Sequence, residues 1–451
     1  MQADVAIIGA GAAGLAAARE LVRAGLDVVV LEARDRIGGR ILTLRPGPSA
    51  SPVELGAEFI HGRPPVLFQI ARAAGLLVVE APDGRWRALN GALRPAARAW
   101  DRIGALIRRA GSMPGKDMPF AAALDACCAE DVSAEERADA LAFVEGFNGA
   151  PADEISARAL AESLGESDDP TGGAGYHVLD GYDRVAHWLA AGLPAGAGPR
   201  LGATVETIAW RRGAVELAAR APTGASLEPV RARCALITVP LGVLQAPADV
   251  PGALRLDPDP PTVRRAIGRL AMGSVIKVVL RFRDPFWESV PRRAGTTPAE
   301  AALKFIFTDD DFHTWWTAAP LQAPVIVAWA GGTRARHLES RSGEELLGRA
   351  LDTLARLTGE PLGRVDARLE AWHHHPWHRD PYARGAYAFV PAGALDAVDV
   401  LREPVEDTLF FAGEATCRPD TAGTVHGAIE SGIRAAGAIA RALGVTRART
   451  S

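Results

Sequence analysis

The chain has 451 residues, 48% of them hydrophobic and 23% charged, which is the balance of an ordinary globular protein and argues against disorder or a fibrous repeat. Fifty Lys and Arg stand against 54 Asp and Glu, a formal charge of −4, so there is no electrostatic footprint for nucleic acid and no general attraction to an anionic membrane. By length the chain has room for about three domain units and a large core.

No pair among Cys127, Cys128, Cys234 and Cys417 has the spacing of a zinc site or a redox motif. Reduced cysteines and a cytoplasmic location are expected. The opening Met1-Gln2-Ala3-Asp4 does not read as a secretory signal. No apolar run reaches the roughly 18 residues of a membrane span, so a soluble protein is expected.

Asp4 to Ile8 is an apolar strand entering Gly9-Ala10-Gly11-Ala12-Ala13-Gly14. Small and apolar residues at helical spacing then run to Ala24, and Gly25 stops the helix. Asp27 to Leu31 supplies a second strand, and Glu32 stands at its end, 18 residues past Gly14. That is close to the offset of about 20 at which an acid accepts ribose hydroxyls. Gly9 permits the turn, Gly11 lets backbone approach a pyrophosphate, Gly14 lets helix and strand pack, and the helix start offers unpaired N–H groups to phosphates. The motif does not separate a nicotinamide from a flavin dinucleotide. Arg34, Arg36 and Arg40, beside the pair Gly38-Gly39, are placed to reach the phosphates from the other side; solvated loop charges are the alternative.

Ala96 to Glu166 reads as mostly helical. Strands are expected around Lys277 and at Val325 to Ala330, with a helix at Gly343 to Leu357. Lys277 interrupts the β-branched run Val275 to Leu280, where an ammonium is out of character for a buried strand; it is either functional or the exposed member of an edge strand. Asp309-Asp310-Asp311 reads as a solvated turn, or a cation entrance. Thr408 to Phe411 is a strand, and Gly423 to Leu443 a helix with small residues on one side, so a second helix start is available to stabilise negative charge.

Six ordered blocks resemble the flavin-dependent amine oxidase family, which includes monoamine oxidases, polyamine oxidases and lysine-specific histone demethylases. They are EARDRIGGR (32–40), VELGAEFIHG (53–62), ITVPLGVL (237–244), MGSVIKVVLRFRDPFW (272–287), DPYARGAYAFVPAG (380–393) and LFFAGEATCRPDTAGTVHGAIESG (409–432). The resemblance implies an α/β fold in which a Rossmann-like FAD-binding domain (1–80, 176–266, 381–451) is interleaved with an α+β substrate-binding domain (81–175, 267–380), with the glycine-rich stretch Thr171 to Gly175 as a crossing between domains. It implies an FAD site at Gly9, Gly11, Ala12, Ala13, Gly14, Glu32, Ala33, Arg34, Gly38, Gly39, Arg40, Leu55, Gly56, Ala57, Glu58, Val205, Val239, Gly413, Glu414, Thr424 and Val425. Glu414 is expected near the ribityl chain and the Val425 backbone at the pyrimidine edge.

The same resemblance assigns catalysis to Lys277, bonded through water to flavin N5, with Tyr387 and Thr424. Substrate contacts are expected from Glu58, His61, Tyr387 and Thr424, with Glu58 and His61 taking a distal ammonium. Where monoamine oxidases carry a flavin-linked cysteine this chain has Ala386, so FAD is expected to be non-covalent; Thr424 replaces their second cage tyrosine. The cluster His373-His374-His375 with His378 invites a metal reading, which the family does not use. The implied partners are a small-molecule amine and O2, the implied product H2O2, with no nucleic acid, no membrane, and an oligomeric state left open, a homodimer included. Without a long charged helical insertion, a chromatin role loses support. The rivals are a flavin L-amino acid oxidase, which needs an arginine in the cavity, a non-catalytic FAD-binding regulatory protein, and a lipid desaturase.

Overall fold

The computed structural model describes residues 2–47, 51–89, 92–128, 131–165, 174–291 and 302–445; most of the expected crossing at Thr171 to Gly175 lies outside them. Two larger sheets organise the chain. In the first, Gln2–Ile8 lies between Val28–Leu31 and Val230–Ile237, parallel to both. Leu409–Phe411 continues in parallel along the C-terminal half of Val230–Ile237. Val28–Leu31 is buried throughout, as the continuous apolar run of a strand covered on both faces requires. Ala214–Arg220 and Thr204–Arg211 add antiparallel neighbours, and Arg255–Asp257 pairs at the far edge.

The helices Ala12–Arg23, Asp183–Ala191 and Val425–Ala442 share a core on one face of this sheet. Small residues let the first and last of them meet: a Cβ on Gly432 would stand 2.2 Å from the Ala13 carbonyl oxygen. The parallel strands all point the same way. Gly9, Glu32, Thr238 and Gly413 therefore follow four strand ends along one edge, where open α/β sheets bind ligands.

The second sheet runs in the order Leu369–His374, Val275–Phe282, Val325–Gly331, Thr314–Thr317, Phe305–Phe307, Arg85–Leu89, Ala92–Pro95. Val275–Phe282 thus has a neighbour on each side, and Lys277 is not on an edge. Its alternate residues Ile276, Val278, Leu280 and Phe282 pack under the helix Gly343–Thr358. Lys277 and Val279 turn to the other face by the period of two, and Val279 packs there with Leu55, Trp316 and Val327. A small sheet places Gly175–Val178 between Phe59–His61 and Val78–Glu80, with His177 opposite Phe59.

The stretch expected to be helical from Ala96 holds Ala97–Gly111, Phe120–Cys128, Ala134–Asn148 and Ala157–Ser163. Ser133 and Glu136 form a capping box, and Gly149 ends that helix at φ +60°. The strands Arg85–Leu89 and Ala92–Pro95 just before it carry no strong alternation and were not anticipated. Cys127 and Cys128 are bonded to each other, against the expectation of reduced cysteines. Adjacent residues need no fold to bring them together, and spacing motifs pass over them. No helix among the described residues is long and apolar enough to cross a membrane.

Candidate active site

A cavity of about 1750 Å3 lies between the two sheets, larger than the usual ~300–1,000 Å3 of a one-ligand site. Of the residues the resemblance assigned to cofactor, catalysis or substrate, all but Gly14 line it. Gly14 acts one layer back. A Cβ there would fall 2.0 Å from the Gly9 carbonyl oxygen, whereas a Cβ on Gly11 would meet nothing within 4 Å. The first glycine closes the turn against the helix, and the second leaves a hollow for a ligand. Gly9 itself has φ +106°, a region open to glycine. The helix from Ala12 has no side-chain cap, so its first N–H groups face the hollow as an anion site.

Glu32 is buried at the rim and fixed by the N–H groups of Ala10 (2.7 Å) and Arg34 (2.9 Å). Each carboxylate oxygen keeps a lone pair, which suits a ribose diol. The three arginines that follow are ties within the protein rather than free phosphate ligands. Arg34 pairs with Asp380 at 2.8 Å, Arg36 donates to the carbonyls of Ile37, Gly39 and Ile41, and Arg40 joins Glu414 at 2.7 Å and the Ala386 carbonyl at 2.9 Å. Burial opposes the ionisation of Asp380, but hydrogen bonds from His375 and Arg34 hold its carboxyl well below the usual range. Glu414 also accepts from the Ala388 N–H. These bonds clamp the 32–40 loop to the C-terminal block across the cavity.

At the other end Lys277 donates to Glu58 Oε2 at 2.7 Å and to the Gly56 carbonyl at 3.3 Å. Glu58 Oε1 accepts from Trp316 Nε1 at 2.9 Å. Burial disfavours its charge, but Lys277, His177 and Lys304 together hold the carboxyl below its ordinary value. Glu58 was expected to take a distal substrate ammonium. In the structure it is paired with Lys277, and both side chains line the cavity.

Tyr387 donates its hydroxyl to the Phe147 carbonyl at 2.7 Å, and its ring packs on Gly423, where a Cβ would come within 3.3 Å. Burial raises the phenol's pKa, so it stays neutral. Thr424 caps the last helix: its hydroxyl accepts from Gly427 N at 3.0 Å and donates to the Thr421 carbonyl at 2.7 Å. Assigned to substrate and catalysis from the sequence, it serves in the structure as a cap whose hydroxyl is already engaged, and the Val425 N–H is left outside that bond. His61 stands edge-on to Phe147, centroids 5.3 Å apart. Phe147 stacks on Phe143, and Trp316 packs on Trp329. This aromatic wall, absent from the sequence reading, lines the cavity. The Cys417 sulfur lies 3.5 Å from the Gly413 carbonyl oxygen, and burial pushes its thiol up to about 12.

The acidic run is paired, Asp309 with Arg87, Asp310 with Arg356 and Asp311 with Arg349, and Asp309 reaches the cavity lining. The histidine cluster is dispersed: His374 Nδ1 lies 3.0 Å from the Lys277 carbonyl oxygen, His375 bonds Asp380, and His378 bonds the Glu339 carbonyl.

Sequence reading passed over Glu54, which accepts from the Tyr182 N–H and the Thr43 hydroxyl. Burial is the larger influence and raises its carboxyl to about 7. A raised acid holds its proton longer when folded, so its contribution is complete below the unfolded value near 4.5 and is lost as pH rises toward 7. Glu54→Gln should therefore be stabilised relative to the parent by an amount that grows from pH 4.5 to 7 and is constant above. At roughly 1.4 kcal/mol per pKa unit the plateau is on the order of 3–4 kcal/mol. Thermal unfolding of both proteins across pH measures it, and a pH-independent difference refutes it.

The glycine-rich cradle, the parallel sheet and a second sheet closing over the same cavity define a two-domain dinucleotide-binding fold. Residues 12–440 match the family described as flavin containing amine oxidoreductase, and the chain belongs to that family. The flavin of that name is the cofactor the cradle fits. The chain is 31% identical over 96% of its length to Polyamine oxidase 1 of Oryza sativa subsp. japonica, covering 96% of that protein. It is 31% identical over 97% of its length to Lysine-specific histone demethylase 1 homolog 1 of the same organism, but spans only 52% of that relative; it covers about half, or less, of the demethylases it resembles. In fold it is similar to a putrescine oxidase bound to putrescine (TM-score 0.78, 22% identity, 98% of this chain and 99% of that one). The cyclohexylamine oxidase of Brevibacterium oxydans is similar too (TM-score 0.79, 22% identity, with the same coverage).

Proposed function

We propose that the chain is an FAD-dependent amine oxidase whose substrate is a primary or secondary amine, polyamines included. One observation carries the reading: a single cavity joins the dinucleotide cradle to Lys277, Tyr387 and an aromatic wall. The likeness to proteins named polyamine oxidase and putrescine oxidase supports the substrate class. FAD is held without a covalent link, since Ala386 carries no thiol and burial keeps the Cys417 sulfur protonated. The chemistry a bound flavin supplies is two-electron oxidation: a hydride leaves the amine α-carbon, the imine is hydrolysed to aldehyde or ketone plus amine, and O2 takes the electrons to H2O2.

The chain's residues orient the amine and keep it dry. Tyr387 presents its ring, the Phe147 and Trp329 walls exclude water, and the Lys277–Glu58 pair fixes polarity at the reacting end. The helix start at Val425 stabilises negative charge at the far side of the ring site. A free alkylamine with a pKa near 10.4 is almost wholly protonated at neutral pH, and an apolar wall beside a cation selects its neutral form. Flavin reduction should therefore quicken with rising pH as free amine accumulates. Of the cavity arginines, Arg34, Arg40, Arg85 and Arg87 are each matched to a carboxylate, and the likeness to a polyamine oxidase supports an amine over an amino acid.

The test is anaerobic titration of the yellow protein with mono-, di- and polyamines and L-amino acids at several pH values, following the loss of flavin absorbance. Bleaching by amines, faster at higher pH, is expected. Bleaching by L-amino acids alone, or by nothing in the panel, overturns the reading.

A further inference from the structure

The chain contains 47 arginines and only three lysines, Lys116, Lys277 and Lys304. Arginine keeps its proton under all ordinary conditions, whereas a buried lysine can release one. Two of the three lysines are buried, and both belong to one cluster. Lys304 is 0% exposed. Its Nζ lies 2.8 Å from His177 Nε2 and donates to the carbonyls of Thr317 at 2.8 Å and Ala319 at 3.0 Å, above the Phe59 ring at 5.2 Å. An ammonium only donates, so His177 Nε2 accepts and the imidazole proton sits on Nδ1, which faces Glu58 Oε1 at 3.8 Å. Glu58 in turn holds Lys277. The order is Lys277, Glu58, His177, Lys304, with two buried cations sharing one anion.

We propose that these four residues form one unit holding a single exchangeable proton, in which Lys304 is a positioning residue that acts on Lys277 through His177 and Glu58. Lys277 touches the cavity and Lys304 does not. Two ammonium groups around one carboxylate leave an excess positive charge away from water, which the cluster relieves by releasing a proton at the member without a carboxylate in contact. Burial pulls Lys304 down to about 8, with Glu58 opposing, and drops His177 to about 3, so the imidazole stays neutral. The other ionisable groups facing the unit are Glu54, His61 on the small sheet, and His374 against the Lys277 carbonyl. The inference rests on the proposed amine oxidation only for placing Lys277 at the reacting end.

With three lysines, holoprotein labelled with 13C at lysine Cε gives three resolvable signals, and exposed Lys116 serves as the surface reference. The Lys304 signal should titrate near pH 8, and the Lys277 signal should inflect at that same pH. In Lys304→Met the Lys277 inflection should vanish; in Glu58→Gln the Lys304 midpoint should fall by about one pH unit as its counter-charge is lost. A Lys277 signal indifferent to the Lys304 transition overturns the proposal in the wild-type protein, where no variant has to fold. So does a Lys304 signal with no transition near pH 8. Proton coupling in a protein that bleaches with no amine would uphold this inference while removing the functional reading, so the two fail separately.

Discussion

Lys277→Met should purify yellow, yet its flavin should be reduced by amine, or reoxidised by O2, at least about tenfold more slowly than the parent's, a loss of roughly 1.4 kcal/mol of transition-state stabilisation. Methionine matches the length of the lysine stem and fits a strand interior, so the sheet should survive. Glu58 loses its closest cation but keeps the Trp316 N–H and, through His177, Lys304, so it is not stranded as an isolated buried charge. FAD occupancy depends on the opposite end of the cavity. Stopped-flow rates equal to the parent's, in both half-reactions, would remove Lys277 from the chemistry.

Glu32→Ala should emerge colourless, or with flavin that gel filtration strips away. The substitution deletes the ribose acceptor and also frees two backbone donors, Ala10 N–H and Arg34 N–H. An unsatisfied buried donor costs about 1–3 kcal/mol. The turn over the pyrophosphate therefore loosens in the same stroke. Glu32→Gln keeps one acceptor and should retain partial occupancy. Alanine protein with full absorbance near 450 nm contradicts the assignment.

The first forty residues were legible because each glycine carries a backbone reason and the strand, turn and helix follow one another in sequence. Lys277 was legible as an anomaly, an ammonium inside a β-branched run. Its partner was not: Glu58 precedes it by some two hundred residues, and only the packing of two sheets shows that they meet. The same holds for Asp380, which clamps Arg34, and for Phe147 and Trp316, which line the cavity from separate elements. Thr424 has a helix-capping role that the resemblance does not include. A threonine before a helix at the place of a cage tyrosine suggests substrate, but a hydroxyl at that position caps its own helix first. Lys304 carried a signal in the scarcity of lysine, since a chain that uses arginine almost everywhere has kept lysine beside the apolar run Phe305-Ile306-Phe307.

The contact between Gly432 and Ala13 bears on how the protein matures. The hollow that grips the nucleotide is opened by the first turn of the chain and roofed by a helix more than four hundred residues later. At synthesis rates of about 5–20 residues per second, the early strands wait tens of seconds on the ribosome for that roof. Flavin loading is in consequence a late event in biogenesis, and a chain halted before the closing helix emerges has no finished pocket to fill.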